Sequence, residues 1–339
     1  MLHQKKSFET SIIVPCYNER ATINLLLDAL YEQTYPRADM EVVIADGGST
    51  DGTREVIHAW GQSHPDLVIK VVDNHARIIP AALNTAIKAS VGNIIVRLDA
   101  HSRPDRHYVE RSVAALIEGR GQNVGGVWDI QSSSDQWMAR SIAVAAGHPI
   151  GVGDARYRYS ARAGYVDTVP FGAFKRELLE QVGLFDETLL SNEDYEFNTR
   201  IRQAGGKIWF DPQICTVYYA RQNLVELARQ YWRYGYWKAH MLRRYPHTIR
   251  WRQALPPLFV ACLILLTLLS VFLRWAGFIL AGVLGVYTLI LMLTGLQLSV
   301  KYKSIALWLG VPLAIATMHF SWGTGFLWSL VSPQNKKKG

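Results

Sequence analysis

The sequence predicts an α/β domain built on a mainly parallel central sheet, followed by C-terminal transmembrane helices. Three observations carry this. Short apolar runs alternate with helical stretches through the first part of the chain, at the spacing of βαβ units. Polar clusters fall just after those runs, where the strands of such a sheet open onto loops. Charged residues, abundant in 1–250, almost vanish from 255–331.

In chain order, Ser11-Ile12-Ile13-Val14-Pro15 reads as a first buried strand and 20–33 as the helix after it. Glu41-Val42-Val43-Ile44-Ala45-Asp46 is a second strand ending in an acid. A second helix starts at Asp51, with Ser49, Thr50 and Asp51 available as caps. A third strand covers 68–72 and a third helix 79–90, and Ile94-Ile95-Val96-Arg97-Leu98 is the fourth strand. Tyr17-Asn18-Glu19, Asp46-Gly47-Gly48-Ser49-Thr50-Asp51 and Asp99-Ala100-His101 all follow strands, on the edge where such sheets bind ligands.

With 339 residues the chain has room for one large domain and an appendage. Three apolar stretches, 255–273, 276–298 and 305–331, are each long enough to cross a hydrocarbon core about 30 Å thick. The third is interrupted by His319-Phe320-Ser321-Trp322-Gly323-Thr324-Gly325, with His319 reading as a packed or interfacial residue. Between Arg221 and Gln253 stand Arg221, Arg229, Arg233, Lys238, Arg243, Arg244, Arg250 and Arg252 against one acid, Glu226. A nucleic-acid surface is the competing reading of such a block. Its place beside a span, with Tyr231, Trp232, Tyr234, Tyr236 and Trp237 interleaved, points to helices on a membrane surface against anionic headgroups and excludes a nucleic-acid partner. The predicted organisation is a soluble domain over 1–220, basic amphipathic interfacial helices over 221–253, and a membrane domain over 254–332. Three spans starting inside would put Lys336-Lys337-Lys338 outside and Lys301 and Lys303 inside; a re-entrant hairpin broken near Gly323 and Gly325 is the alternative. Met1-Leu2-His3-Gln4-Lys5-Lys6 leads into the first strand without an apolar leader, so the soluble domain is expected in the cytoplasm. Cys16, Cys215 and Cys262 have neither pairing nor metal spacing and read as reduced thiols.

Two clusters hold the chemistry. Asp99 and His101, two apart at a strand end, can point the same way and suit a divalent cation such as Mn²⁺, with positions left for a phosphate. A turn with a solvated acid and imidazole is the other reading. Asn192-Glu193-Asp194 opens a helix ending near Gly205-Gly206, with Asn192 as N-cap and acids in the first turn. Those acids either simply favour the helix terminus or aim at a cleft. Val169-Pro170-Phe171-Gly172-Ala173-Phe174 reads as a tight segment against a substrate; Phe171 and Trp209 are either sugar-stacking rings or core. Neither G-x-x-x-x-G-K-[ST] nor a G-x-G-x-x-G after the first strand is present, which excludes a P-loop NTPase and removes support for a dinucleotide fold.

The ordered series Val14-Pro15-Cys16-Tyr17-Asn18-Glu19, Ala45-Asp46-Gly47-Gly48-Ser49-Thr50-Asp51-Gly52, Asp99-Ala100-His101 and Asn192-Glu193-Asp194 resembles family 2 of the inverting glycosyltransferases, over about 8–240. The stretch 164–174, the Asp-Ala-His form and the apolar C-terminal helices look most like the ExoA-like succinoglycan-type glucosyltransferases of bacteria. The resemblance implies the GT-A nucleotide-sugar-binding fold. It implies that Pro15, Tyr17 and Glu19 line the nucleoside pocket, that Asp46 bonds the base with Arg77 beside it, and that Asp99 reaches the diphosphate through a metal, Mn²⁺ or Mg²⁺. His101 stands where the family's Asp-x-Asp has its second acid. Asp194 matches the general base, with Glu193 beside it toward the acceptor. Gln230-Tyr231-Trp232-Arg233-Tyr234 resembles the Gln-x-x-Arg-Trp motif, which would set Gln230 and Tyr234 at the acceptor and Arg233 at the diphosphate.

Physical chemistry requires the same parts: neutralised leaving phosphates, and a base in reach of an acceptor hydroxyl. The function expected is a membrane-anchored inverting transferase moving a hexose, glucose from UDP-glucose, to a lipid-linked saccharide on a polyprenyl diphosphate. It would act at the cytoplasmic face of a bacterial inner membrane, in exopolysaccharide assembly. Transfer to a polyprenyl phosphate, a processive synthase, a silent nucleotide-sugar-binding membrane protein and a transporter are the alternatives.

Overall fold

The computed structural model describes residues 8–332; the terminal Lys336-Lys337-Lys338 used in the topology argument lies outside them. The elements are β1 (Thr10–Cys16), α1 (Ile23–Tyr31), β2 (Met40–Asp46), α2 (Thr53–Ser63), β3 (Val68–Asp73), α3 (Ile79–Ala89), β4 (Ile94–Arg97), β5 (Arg103–Pro104), α4 (Tyr108–Ile117), β6 (Asn123–Gln131), α5 (Trp137–Ala146), α6 (Pro149–Val152), β7 (Gly164–Val166), β8 (Ala173–Lys175), α7 (Leu178–Val182), α8 (Glu193–Gln203), β9 (Ile208–Tyr219), α9 (Leu224–Leu242), α10 (Trp251–Ser270), α11 (Arg274–Lys301) and α12 (Ala306–Val331). The chain divides into two compact units, 8–129 with 159–218, and 130–158 with 219–332.

In the first unit the sheet runs β3-β2-β1-β4-β8-β6-β9-β5, with β7 on β9. The first four strands are the parallel half that the alternating pattern predicts. β8 then joins β4 and β6 antiparallel, and β9 takes β5 and β7 antiparallel, so the sheet as a whole is mixed. β1, β2 and β4 are buried on both faces, which is why they read as unbroken apolar runs, while β3 at the edge is half-buried or exposed. Ile12, Val14, Val42, Ile44 and Val96 form the core beneath α1 and α4. Register matters for function. Cys16 lies opposite Asp46, Asp46 opposite Asp73, and Ile13 opposite Arg97, so the carboxyl ends share one edge. Chain order steps from β1 outward to β3 and then returns to β4 on the other flank of β1. That reversal opens a crevice between the loops after β1 and β4, the usual ligand position in such sheets.

In the second unit α12 is the helix against which α5, α9, α10 and α11 pack. Two helices among the described residues, α10 and α11, are long and apolar enough to cross a membrane, and most of their surface is open. The third apolar stretch does not form the hairpin given as the alternative. It is one continuous helix, with no hairpin break at Gly323 or Gly325. Those glycines serve helix packing instead: a Cβ at Gly323 would sit 2.7 Å from the Pro256 carbonyl oxygen, and one at Gly325 2.2 Å from that of Trp232. His319 is packed, its ring nitrogens 3.1 Å from the Tyr287 hydroxyl and 3.0 Å from the Ile150 carbonyl.

The basic segment is corrected in one respect. The buried face of α9 (Leu227, Gln230, Tyr231, Gly235, Ala239 and Met241) packs on protein, because α12 covers it. Lys238, counted among the surface cations, is fully buried, with Nζ 3.8 Å from Met241 Sδ. Arg229, Arg233, Arg243 and Arg244 stay on the exposed side.

Candidate active site

The loops after β1 and β2 brace each other. The Asn18 amide donates to Ser49 Oγ (2.8 Å), and Asn18 Oδ1 accepts from the Thr50 amide (2.9 Å). The Glu19 amide donates to Thr53 Oγ1 (2.9 Å) and the Arg20 amide to Asp51 Oδ2 (3.1 Å). Asn18 takes a positive φ of 54°, tolerable for Asn because its short amide bonds locally. Pro15 is half-buried at the end of β1, and Tyr17 presents an exposed ring.

Asp46 is the centre of the second loop. Its side chain is fully enclosed and accepts from the amides of Gly48 and Ser49 (3.1 Å each), from the Ser49 hydroxyl, and from Arg54 Nε at 2.5 Å. Burial pushes its pKa up, but the bonds from Ser49 and Arg54 outweigh that and hold the carboxyl below its ordinary range. Every side-chain hydrogen bond of this acid, expected at the nucleotide base, is to its own loop or to Arg54. Gly48 needs its φ of 77°, and the Arg77 guanidinium lies 3.4 Å from where a Cβ would stand. Arg77 thus sits beside the Asp46 loop.

The loop after β4 carries the expected Asp99 and His101. His101 Nδ1 is 3.0 Å from Glu19 Oε1, closing the crevice between β1 and β4. Burial raises the Glu19 pKa, and bonds from His101 and Thr22 more than reverse it. A carboxylate on one ring nitrogen is the kind of contact that orients metal-ligating histidines. Asp99 and His101 offer one carboxylate and one imidazole, donor types that divalent cations such as Mn²⁺ accept, and Asp99 Oδ1 also accepts from Arg97. No group of three His, Cys, Asp or Glu that could hold a metal ion is found among the described residues.

Arg97 is the residue that the strand reading passed over. It ends β4 with only 3% of its side chain exposed, and it gathers three acids. Nη2 donates to Asp99 Oδ1 (3.2 Å) and Glu193 Oε1 (2.9 Å), and Nη1 donates to Asp194 Oδ1. The Phe171 ring lies 5.5 Å from the guanidinium carbon. One cation therefore faces three carboxylates, each still partly open to solvent. Burial lowers the Arg97 pKa, and Asp194, Asp99 and Glu193 more than restore it. At Asp194, burial raises the pKa most, Arg97 opposes it, and the charges of Glu193 and Asp99 add to the rise, which leaves this carboxyl above its ordinary range. An arginine within an otherwise apolar strand run is the signal that could have marked it.

α8 delivers Glu193 and Asp194. Asn192 does not cap it as expected: it sits in the left-handed region (φ 67°) and makes no side-chain cap bond. The helix is held from beneath. Asn198 Nδ2 donates to Thr168 Oγ1 and the Val169 carbonyl, both 3.0 Å, and Arg200 ties Glu196 to the Leu184 carbonyl. Phe171, with φ 50°, is buried, and its carbonyl accepts from the Tyr108 hydroxyl (2.8 Å). It forms a wall for Arg97. Trp209 packs edge-on to Tyr165, ring centroids 5.2 Å apart. Phe171 belongs to the core, and Trp209 is half-buried against it.

Gln230, Arg233 and Tyr234 lie on α9, in the second unit. Gln230 Nε2 donates to the Tyr234 hydroxyl (2.9 Å), Arg233 is exposed, and Tyr234 stands edge-on to Tyr231.

Comparison with known proteins bears on this arrangement. The model of glycosyl transferase family 2 matches residues 11–183. The succinoglycan biosynthesis protein ExoA of Rhizobium meliloti is 32% identical over 94% of each chain. A Methanococcus voltae dolichyl N-acetyl-α-D-glucosaminyl phosphate 3-β-D-2,3-diacetamido-2,3-dideoxy-β-D-glucuronosyltransferase is 26% identical over 95% of this chain and 97% of its own. Among solved structures, mannosyltransferase PcManGT of Pyrobaculum calidifontis, in complex with GDP-Man and Mn²⁺, superposes with a TM-score of 0.63 at 23% identity, covering 96% of this chain and 88% of that one.

Proposed function

The chain belongs to glycosyl transferase family 2 and is a glycosyltransferase of the GT-A fold, and from that premise we propose that it moves glucose from UDP-glucose to a lipid-linked saccharide by a single displacement that inverts the anomeric carbon. The observation that carries the reading is Asp194 held on Arg97 beside Asp99, at the edge where the parallel strands end. Asp194 is the general base: its raised proton affinity suits removal of a hydroxyl proton as the new bond forms. Pro15, Tyr17, Glu19 and Arg77 line the nucleoside pocket, and Asp46 contributes by holding the Gly48–Ser49 turn in shape. Asp99 and His101 would hold a divalent cation, Mn²⁺ or Mg²⁺. When bound, that cation neutralises charge on the leaving diphosphate.

Glu193, beside the base, faces the acceptor. The open apolar surfaces of α10 and α11 anchor the protein in a bacterial cytoplasmic membrane, with the catalytic unit on the cytoplasmic side and the exposed arginines of 221–253 toward anionic headgroups. A relative in succinoglycan biosynthesis and one acting on a dolichyl-phosphate-linked sugar support a lipid-linked acceptor in exopolysaccharide assembly.

The test is release of nucleoside diphosphate from UDP-glucose, UDP-N-acetylglucosamine and GDP-mannose by the purified full chain, with Mn²⁺ or EDTA and with membrane lipid extract. Metal-dependent, lipid-stimulated release from UDP-glucose is expected. Release that needs only a polyprenyl phosphate would move the acceptor to the lipid itself. Release from another nucleotide sugar would reassign the donor.

A further inference from the structure

We propose that Arg97 is a positioning residue for the transfer step, its guanidinium fixing the carboxylate of Asp194 in the orientation that takes the acceptor proton. The inference rests on the reading of Asp194 as the base. Arg97 is itself placed by the backbone. Its amide donates to the Gly172 carbonyl (3.1 Å), its side chain is 3% exposed, and the Phe171 ring flanks it. A group buried so completely does not meet substrate, so its effect must pass through its partners.

The contacts divide the fork. Nη1 serves Asp194, while Nη2 is shared by Glu193 and Asp99. Asp194 Oδ1 is thereby fixed, and Oδ2 accepts no hydrogen bond among the described residues, although the side chain is 22% exposed. That leaves one oxygen facing outward with its lone pairs ready for a hydroxyl. The Nε of Arg97 has no partner either, so the guanidinium is held by its two terminal nitrogens and its packing alone. Asp99 sits two residues along the same chain segment, so a single side chain ties an acid after β4 to the base brought by α8. A lysine would keep the charge without the planar fork that sets direction.

The experiment is a double-mutant cycle on the purified full chain: wild type, Arg97→Lys, Asp194→Asn and the pair. Turnover is read with whichever of UDP-glucose, UDP-N-acetylglucosamine or GDP-mannose the wild type uses, and the matching nucleoside diphosphate is titrated by calorimetry. Arg97→Lys is expected to lower kcat about 100-fold, with donor KM and nucleotide Kd within about threefold, and to add nothing to the loss in Asp194→Asn. Wild-type kcat in Arg97→Lys, a loss confined to KM or Kd, or losses that multiply in the pair would each overturn the proposal. Full kcat in Asp194→Asn would instead overturn the base assignment. Should Arg97→Lys fail to fold by circular dichroism, Glu193→Gln frees one arm of the fork while keeping the cation. Its loss must likewise vanish in the Asp194→Asn background; a loss that persists there overturns the proposal.

Discussion

Arg97 and Asp194, 97 positions apart in the chain, meet as an ion pair between the end of β4 and the first turn of α8. The pair joins two loops that the sequence presents as separate motifs, and it makes the position of the base a property of the sheet edge.

Replacing Asp194 by Asn removes the proton acceptor and keeps the shape. Turnover is expected to fall about 10³-fold, within the range for losing a general base, while UDP affinity changes little. Side-by-side turnover and calorimetry check this; nearly full turnover would point to another base.

The raised proton affinity of Asp194 sets a pH dependence. The base works only when ionised, so turnover rises with pH through that pKa, above the ~3.9 of an unperturbed Asp. Glu193 is one of the charges that raise it. Glu193→Gln is therefore expected to move the acid limb of the kcat profile to lower pH. An acid limb that stays in place, or moves up, contradicts the charge cluster described for Arg97.

Asp46 makes a stability prediction. Its folded pKa is depressed, so its contribution is present above the unfolded pKa of about 3.9 and is lost as pH falls through the folded value. Asp46→Ala is expected to cost about 2 kcal/mol at pH 7, because the hydrogen bonds from Ser49 and Arg54 to an enclosed carboxylate are lost. Thermal melting of wild type and variant should show a gap at pH 7 that narrows by pH 3. An equal gap at both values would mean that the charge is not what stabilises the loop.

His101 stands where an acid would make the site harder. His101→Asp is expected to shift metal preference from Mn²⁺ toward Mg²⁺, since oxygen ligands suit Mg²⁺ and imidazole favours later divalent metals. Metal titration of UDP affinity and of turnover reads the change. Identical preference in both proteins would remove His101 from the ligand set.

In the second unit, a Cβ at Gly235 would lie 2.1 Å from the Trp322 carbonyl oxygen, so α9 and α12 approach backbone to backbone. Gly235→Ala is expected to cost at least 1–3 kcal/mol, roughly the range for overpacking, and to lower the melting temperature in detergent. An unchanged melting temperature would show that the two helices separate without cost.

Much of this was readable along the chain. The apolar runs at 11–15, 41–46 and 94–98 became β1, β2 and β4 because strands buried on both faces leave an unmistakable pattern. Asp46, Asp99 and His101 fell at strand ends for the same reason. Asn192 was less readable. An Asn before a helix suggests a side-chain cap, yet it adopted the left-handed conformation that the same short amide also allows. Gly323 and Gly325 left a broken helix open as an alternative to a span; their missing Cβ atoms instead let neighbouring helices close in.

By itself the sequence determined the parallel half-sheet, the loops at its carboxyl edge and the apolar helices, since each depends on local periodicity and on residues a few positions apart. Only the tertiary structure decided that Arg97 would serve Asp99, Glu193 and Asp194, that Asp46 would be enclosed by its own loop, and that 130–158 would pack with 219–332. Those outcomes depend on which side chains the strand register and the helix crossings bring within a few ångströms. No local pattern carries that information, because the partners are far apart in the chain and each alone satisfies several environments.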